Sequence, residues 1–527
     1  MGKLELYYNT IIHLHSGQVL HQCLARLRKI ARRVLRSKYD FSMYREGQPL
    51  QLADQIDKYE SCNGEDFTFI NITERFDGNW EYKQLGALWS FNINYMEYLL
   101  QPSMNFATGR EWIMRFISSQ ESNAIGMSPY CIALRSVNWI KFITQHRAEL
   151  AADDLKKIET SLYSQCRILQ DNLEYNLAGN HLLEDLFSLV WAGIYFGDRK
   201  MFAVAAPQLA SQLKEQTLDD GANFEQSPMY HCIILDRVLD AINILQNNRR
   251  FDGQDELCSV LRDCAARMLG WLQEISYSDG TLPLFNDSAE GIAPSPEALY
   301  GYASRLGIEW SKGSSDASGY YCVDNGKFEL RMDMGGIAAS YIPGHSHADT
   351  FNFELRAAGR PFIADSGIST YQWCDRRQYE RSTAAHNTVT VNDDNSSRVW
   401  AAFRCAQRAK VFDIRKDGNS ICATHDGYSK YGTLHTRKFS WSDSSVVLTD
   451  HLSGDVCGKA YLHFAPGVEV RVEGNRATAS GAEILFDSPL SVELSEGETA
   501  RQYNRFEKCY ILCISFKGSL KTEIAFK

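Results

Sequence analysis

The sequence predicts an α+β multidomain protein, on three observations. From about Trp80 to about Leu306 apolar residues recur at helical spacing, and strand-like alternation is nearly absent. Near 311–319 the string SKGSSDASG interrupts the pattern as a Gly/Ser-rich turn or linker. Beyond it, short runs alternate with period two between turn signals. A run of helices followed by a run of strands implies two stacked domains rather than interleaved βαβ units. The length of 527 residues, roughly three to four times a usual single domain, leaves room for both.

In chain order, the first 40 residues are basic: Arg26, Arg28, Lys29, Arg32, Arg33, Arg36 and Lys38 are interleaved with Leu24, Leu27, Ile30 and Val34. The spacing predicts an amphipathic helix. It could lie on an anionic membrane or an assembly partner; the expectation adopted is a solvated face packed on the main body. Helices are then predicted over Gly86–Leu100, Arg110–Ser119, Ser136–Glu149, Asp153–Tyr175, His181–Phe196, Arg199–Glu215, Ser227–Gln246, Asp255–Ser276 and Pro296–Arg305. Turns such as Gly197-Asp198 and Asp279-Gly280 separate them, which suggests paired α-hairpins arranged as a solenoid or closed into a toroid. Strands are predicted over Tyr320–Val323, Phe328–Met332, Ile337–Ile342, Phe351–Arg356, Pro361–Ile363, Thr388–Val391 and Val446–Leu448.

Composition excludes several classes. With 55 Lys+Arg against 65 Asp+Glu the net charge is -10, so a general nucleic-acid binder is not expected. The 14 Cys are scattered without CxxC or zinc-finger spacing, which reads as reduced thiols. No secretory h-region and no 18-residue apolar stretch are found, so a cytoplasmic protein with no transmembrane segment is the expectation. Walker, Rossmann, HExxH and GxSxG signatures are absent, so nucleotide-driven and serine-hydrolase chemistry have no support.

Seven of the 13 His fall between 345 and 463. In Gly344-His-Ser-His-Ala-Asp349, residues two apart on an extended strand would place His345 and His347 on one face. Asp365 and His386 follow, and two imidazoles plus one carboxylate from this region would make a zinc-type ligand set, against the simpler reading of scattered histidines satisfied by hydrogen bonds. In Gly179-Asn-His-Leu-Leu-Glu184, Asn180 and Glu184 stand one helical turn apart, with His181 beside them. Pattern alone favours Asn180 as an N-cap. Asn223 or Ser227 could cap the helix opened by Pro228, which would bring Tyr230 near its start. Arg135 and Trp139 could fork onto an acidic group and stack on a sugar, or hold two helices together from within.

Taken together and in order, these strings resemble the heparinase II/III-like polysaccharide lyase superfamily. The matching stretches are Leu88–Tyr95, Pro129-Tyr130 through Trp139, Asn180-His181, Glu225–Tyr230, Gly344–Asp349, Ala364–Gly367 and Ala385–Asn387, with His425–Tyr428 and Leu462-His463 as later positions. The resemblance implies an incomplete (α/α) toroid followed by an antiparallel β-sandwich: a basic helical extension over 1–60, a toroid over 61–312 and a sandwich over 313–527. It implies Asn180 and His181 at the uronate carboxylate, Glu184 in support, and Tyr230 and His345 as acid/base groups. It further implies a structural divalent metal, zinc by expectation, on His347, Asp365 and His386, with Arg135 and Trp139 as substrate contacts. Asn94 departs from the His expected in many relatives, which puts a substrate role there in doubt.

The implied reaction is β-elimination on a uronic-acid-containing acidic polysaccharide. Removing the C5 proton is difficult because the flanking carboxylate is already negative, so donors must stabilise the enediolate, an effect of about 3 kcal/mol per donor. A uronyl C5-epimerase in cell-surface polysaccharide biosynthesis, which needs the same proton abstraction, and a non-catalytic glycan-binding protein are the alternatives.

Overall fold

The computed structural model describes residues 2–35 and 38–526; Arg36, counted above among the basic residues, lies outside the described residues. Two helices open the chain, α1 (Lys3–Ile11) and α2 (Ser16–Leu35). The helical extension expected over 1–60 ends there. Residues 38–61 contain no helix and run as an extended strap, held by side chains of the toroid: Glu159 accepts from the Gly47 amide, and Asn243 from that of Ala53. A three-stranded antiparallel sheet, Cys62–Asn63, Asp66–Phe69 and Ile72–Arg75, follows and buries Phe67 and Phe69 in the helical core.

The helical lobe comprises α3 (Ala87–Tyr95), α4 (Phe106–Ser119), α5 (Pro129–His146), α6 (Ala152–Gln170), α7 (Gly179–Tyr195), α8 (Arg199–Gln216), α9 (Pro228–Asn247), α10 (Gln254–Ile275) and α11 (Pro296–Arg305). The odd-numbered helices pack on one another as an inner row, and α4, α6, α8 and α10 lie outside them. This is the predicted incomplete toroid. Sequence explains the two rows. The inner α7 is apolar nearly all round and almost wholly buried, whereas the outer α6 keeps one apolar stripe bearing Ile158, Leu162, Cys166 and Leu169. Local capping fits as well: Asp198 accepts from the amides of Lys200 and Met201, and Ser227 from that of Tyr230, with Pro228 at the first position of α9.

After 319 the chain is mainly antiparallel sheet. An eight-stranded sheet runs in the order Val411–Asp417, Ser420–His425, His435–Trp441, Ser445–Leu452, Ser519–Phe526, Ala482–Asp487, Arg476–Ala479, Val470–Glu473. Two four-stranded sheets share its apolar core, built on Phe353, Val389, Phe439, Leu448 and Leu512. Ser420–His425 and Ser445–Leu452 bury alternate residues, as strands with one solvated face must. Phe328–Asp333 is instead buried throughout, because its outer face meets the helical lobe, where Arg331 donates to the carbonyls of Ile275 and Ser276.

Two expectations are corrected here. Ile337–Ile342 is not a strand, and 344–350 is an irregular loop, so His345 and His347 do not share a strand face. What orients them is a carboxylate from the other lobe.

Candidate active site

A cavity of about 1540 Å³ lies between the lobes, lined among others by Tyr130, Asn180, His181, Tyr230 and His345. The helical wall comes from the starts of α7 and α9. The turn into α7 takes left-handed backbone at Ala178 (φ 57°) and Gly179 (φ +55°). A β-carbon on Gly179 would stand 2.4 Å from Ile342 Cδ1 and 2.8 Å from Glu225 Oε1, so only glycine permits this approach. Asn180 therefore lies inside the first turn of α7, not at its cap, and its amide donates to Glu225 Oε1 at 3.1 Å. His181 is half-buried, with Nδ1 3.0 Å from Glu174 Oε2 and its ring 4.4 Å from that of Tyr130. Glu184 is turned to Arg237 instead of Asn180: it takes the Arg237 Nε at 3.0 Å, in a buried ion-pair group with Glu97 and Asp236.

Opposite, the 344–350 loop brings His345 against Tyr230, ring centroids 3.9 Å apart. His345 Nδ1 lies 2.9 Å from Asp287 Oδ2, so Nδ1 carries the proton and Nε2 is left toward Glu225 Oε2, 3.5 Å away. Asp287, between α10 and α11, is fully buried and also takes both Arg377 terminal nitrogens (2.5 and 2.7 Å) and His347 Nε2 (2.9 Å). Arg377 belongs to α12 (Asp375–Glu380) of the β-lobe. Burial would raise the Asp287 pKa, but Arg377 and the two imidazoles hold it well below the carboxylate range. Burial has the upper hand at Glu225, which is raised despite His345, and at the Tyr230 phenol, which is raised well above its usual value. The Tyr230 hydroxyl lies 3.3 Å from that of Tyr371. Beside one another, the neutral phenol can give a proton and the free Nε2 of the Asp287-held imidazole can take one.

Arg135 and Trp139 are corrected: neither reaches the cavity. Both are fully buried in α5, where Arg135 donates to Gln165, to the Asn94 and Gly126 carbonyls and covers Phe116, and Trp139 Nε1 points at Met96 Sδ. They hold helices together from within. Asn94 is likewise buried, donating to the carbonyls of Trp80 and Ser90.

The trio expected to bind metal is brought together but does not close as a ligand set. His386 Nδ1 lies 2.7 Å from Asp365 Oδ2, and the rings of His347 and His386 are 5.2 Å apart. Asp365 is engaged on both oxygens, by Asn352, the Gly367 amide and His386. Among the described residues no group of three or more His, Cys, Asp or Glu is arranged to hold a metal ion. Nevertheless His347 Nδ1, His386 Nε2 and Asp349 Oδ2 are buried without a hydrogen-bond partner, and such a donor set suits a divalent cation.

Sequence reasoning assigned no role to Asp287, Arg377 or Tyr371. Asp287 sits in a loop string, Phe-Asn-Asp-Ser, with no spacing signature, and only the lobe contact reveals it. Glu225 stood within a quoted motif, and its position just ahead of a capped helix was the available signal.

Family models agree with this layout: "Heparinase II/III N-terminus" matches residues 132–300 and "Heparinase II/III-like, C-terminal" matches 310–527. The chain is 24% identical over 324 residues to a heparin-sulfate lyase of Bacteroides stercoris, covering 55% of this chain and 46% of the relative. It is 27% identical over 250 residues to one of Pedobacter heparinus, covering 42% and 37%. The chain thus spans under half the length of the curated relatives it matches. A crystal structure of heparinase III superposes with TM-score 0.65 at 17% identity, covering 86% of this chain and 80% of that one; heparan sulfate lyase from Pedobacter heparinus gives 0.57 at 17%, covering 88% and 81%. Two models in tandem, meeting where the lobes meet, and a fold shared across both lobes establish that the chain belongs to the heparinase II/III-like polysaccharide lyase superfamily.

Proposed function

We propose that this chain is a polysaccharide lyase that cleaves a uronic-acid-containing acidic polysaccharide by β-elimination. The observation that carries the reading is the Tyr230–His345 stack at 3.9 Å, its imidazole fixed by Asp287, on the wall of a cavity that also holds Asn180 and His181. Asn180 and His181 would face the uronate carboxylate and stabilise the enediolate as C5 loses its proton. His345 Nε2 takes that proton, the C4–oxygen bond breaks with formation of the C4=C5 double bond, and the Tyr230 phenol protonates the departing oxygen. The raised Tyr230 pKa suits the donor role, since the phenol enters the reaction protonated. Because phenol and imidazole stack directly on one another, they favour proton transfers on one face of the sugar. An epimerase needs two such groups on opposite faces.

The relatives are named heparin-sulfate lyases, so heparin-sulfate heads the panel of uronate polysaccharides to be assayed. Near-ultraviolet absorbance of the unsaturated product is expected with at least one member, falling about 10²–10⁴-fold in Tyr230→Phe. No unsaturated product from any member overturns the reading. Solvent deuterium at C5 without cleavage would assign the epimerase instead, and binding without turnover the glycan-binding alternative.

A divalent cation, zinc by donor chemistry, belongs to the same proposal. His347 Nδ1, His386 Nε2 and Asp349 Oδ2 would hold it, with Asp365 orienting the His386 ring through Nδ1, and when bound it would order the β-lobe loops beside the cleft. Metal analysis of purified protein is expected to find about one equivalent per chain, and chelation to lower the melting temperature. Absence of metal together with an unchanged melt would remove the cation from the scheme.

A further inference from the structure

The N-terminal helices pack the opposite way from an ordinary amphipathic pair. The side of α2 that meets the body is polar. Arg28 donates to the Asp171 carbonyl, Arg32 to Asn172 Oδ1, and Gln22 Oε1 accepts from Asn176. The opposite side is apolar and faces outward: Leu20, Leu27 and Val34 recur every seven residues with Ile30 between them, and are 58%, 60%, 73% and 58% exposed. α1 likewise exposes Leu4 (87%), Tyr8 and Ile11 at helical spacing. So large a run of exposed apolar side chains on a folded chain calls for a cover.

Charge selects among the covers. Between Ser16 and Leu35 the sequence carries Arg26, Arg28, Lys29, Arg32 and Arg33 and no acidic residue, on a chain whose net charge is -10. Two copies meeting through this face would bring basic helices together. A soluble polyanion would be met by the charges alone and would leave the apolar stripe uncovered. A surface that is anionic at the headgroups and apolar beneath satisfies both. No helix among the described residues is long and apolar enough to cross a membrane, so the contact is peripheral.

We propose that α2 docks this protein on an anionic lipid surface through Leu20, Leu27, Ile30 and Val34, with Arg26 flanking that stripe at the headgroups. Ile11, Val19 and Arg26 also line the cavity between the lobes, so docking sets the cleft beside the bilayer. The inference stands apart from the lyase reading, because it concerns a surface and not the chemistry.

The test is co-sedimentation of the full chain with phosphatidylcholine vesicles, with and without a large fraction of phosphatidylglycerol. Binding is expected only to the anionic vesicles, weakening with salt. Arg26→Gln should cost about fivefold, and Leu20→Ser/Leu27→Ser/Ile30→Ser should abolish sedimentation, with circular dichroism and melting temperature showing both variants folded. Failure of the wild-type chain to sediment with anionic vesicles overturns the proposal, as does equal binding to neutral ones. A lipid-free dimer that the Leu/Ile variant dissolves also overturns it, assigning the face to a second copy.

Discussion

His231 and His345 are neighbours of the same tyrosine in chain or in space, yet they have opposite fates. His345 has one nitrogen on Asp287 and the other toward the cavity, so it can exchange a proton with a substrate. His231 is spent on structure. Its Nδ1 accepts from the Asn223 amide, its Nε2 donates to the Met268 carbonyl, and its ring lies 4.4 Å from that of Trp271. Burial lowers its pKa from 6.5 to about 3. The unfolded chain therefore takes up the proton first, and the stability His231 contributes is complete above pH 6.5 and lost progressively between pH 6.5 and 3. Replacing His231→Leu should lower stability at neutral pH, by orphaning the Asn223 amide, but flatten the acid limb of the stability curve in that window. Urea titrations across the range check this, and an unchanged slope would show that other groups govern acid unfolding.

Among the elements, the start of α7 is where a backbone decision positions chemistry. Left-handed backbone at two successive residues lets the helix begin within contact of Ile342 and Glu225, and so sets Asn180 at the cavity wall. Gly179→Ala should cost about 1–3 kcal/mol of stability. Because the new β-carbon pushes on Glu225 and Ile342, turnover should fall beyond what the stability loss explains, while Asn94→Ala, at a buried side chain that does not line the cavity, should lower stability only. Thermal melts beside initial rates separate the two, and equal behaviour of both variants would deny the turn a positioning role. The same element shows the reach of local signals. Ser227 and Pro228 marked the start of α9 from sequence, and Asp198 caps α8 where a turn was expected, because a cap is a contact over three residues. His345 and His347 were assigned to a strand because alternation is also local, whereas the carboxylate that pulls their loop out of the sheet is 58 residues upstream of His345.

At the scale of the molecule, Asp287 joins the lobes. A carboxylate of the helical half receives four nitrogen donors from the β-half, and Tyr277–Glu354 and Asp279–Arg356 continue the seam. Removing this carboxylate leaves the buried Arg377 charge unpaired and the two imidazole N–H groups without an acceptor, so Asp287→Ala should cost about 3–5 kcal/mol. Calorimetry is expected to show one cooperative transition for the wild type and two for the variant, since each lobe has its own core. Two transitions already in the wild type would mean that the seam does not couple them.

The sequence by itself determined the order of helices and strands, the apolar faces that stack them, and the strings that place Asn180, Tyr230 and His345 in one family pattern. These follow from periodicity and short-range caps, which a linear chain displays directly. Only the tertiary structure decided that Arg135 and Trp139 serve the core, that Asp287 and Arg377 set the orientation of His345, and that α2 turns its apolar side outward. Each of those depends on which surface of one element meets another. Burial and charge compensation belong to the packed pair and have no counterpart in either segment alone.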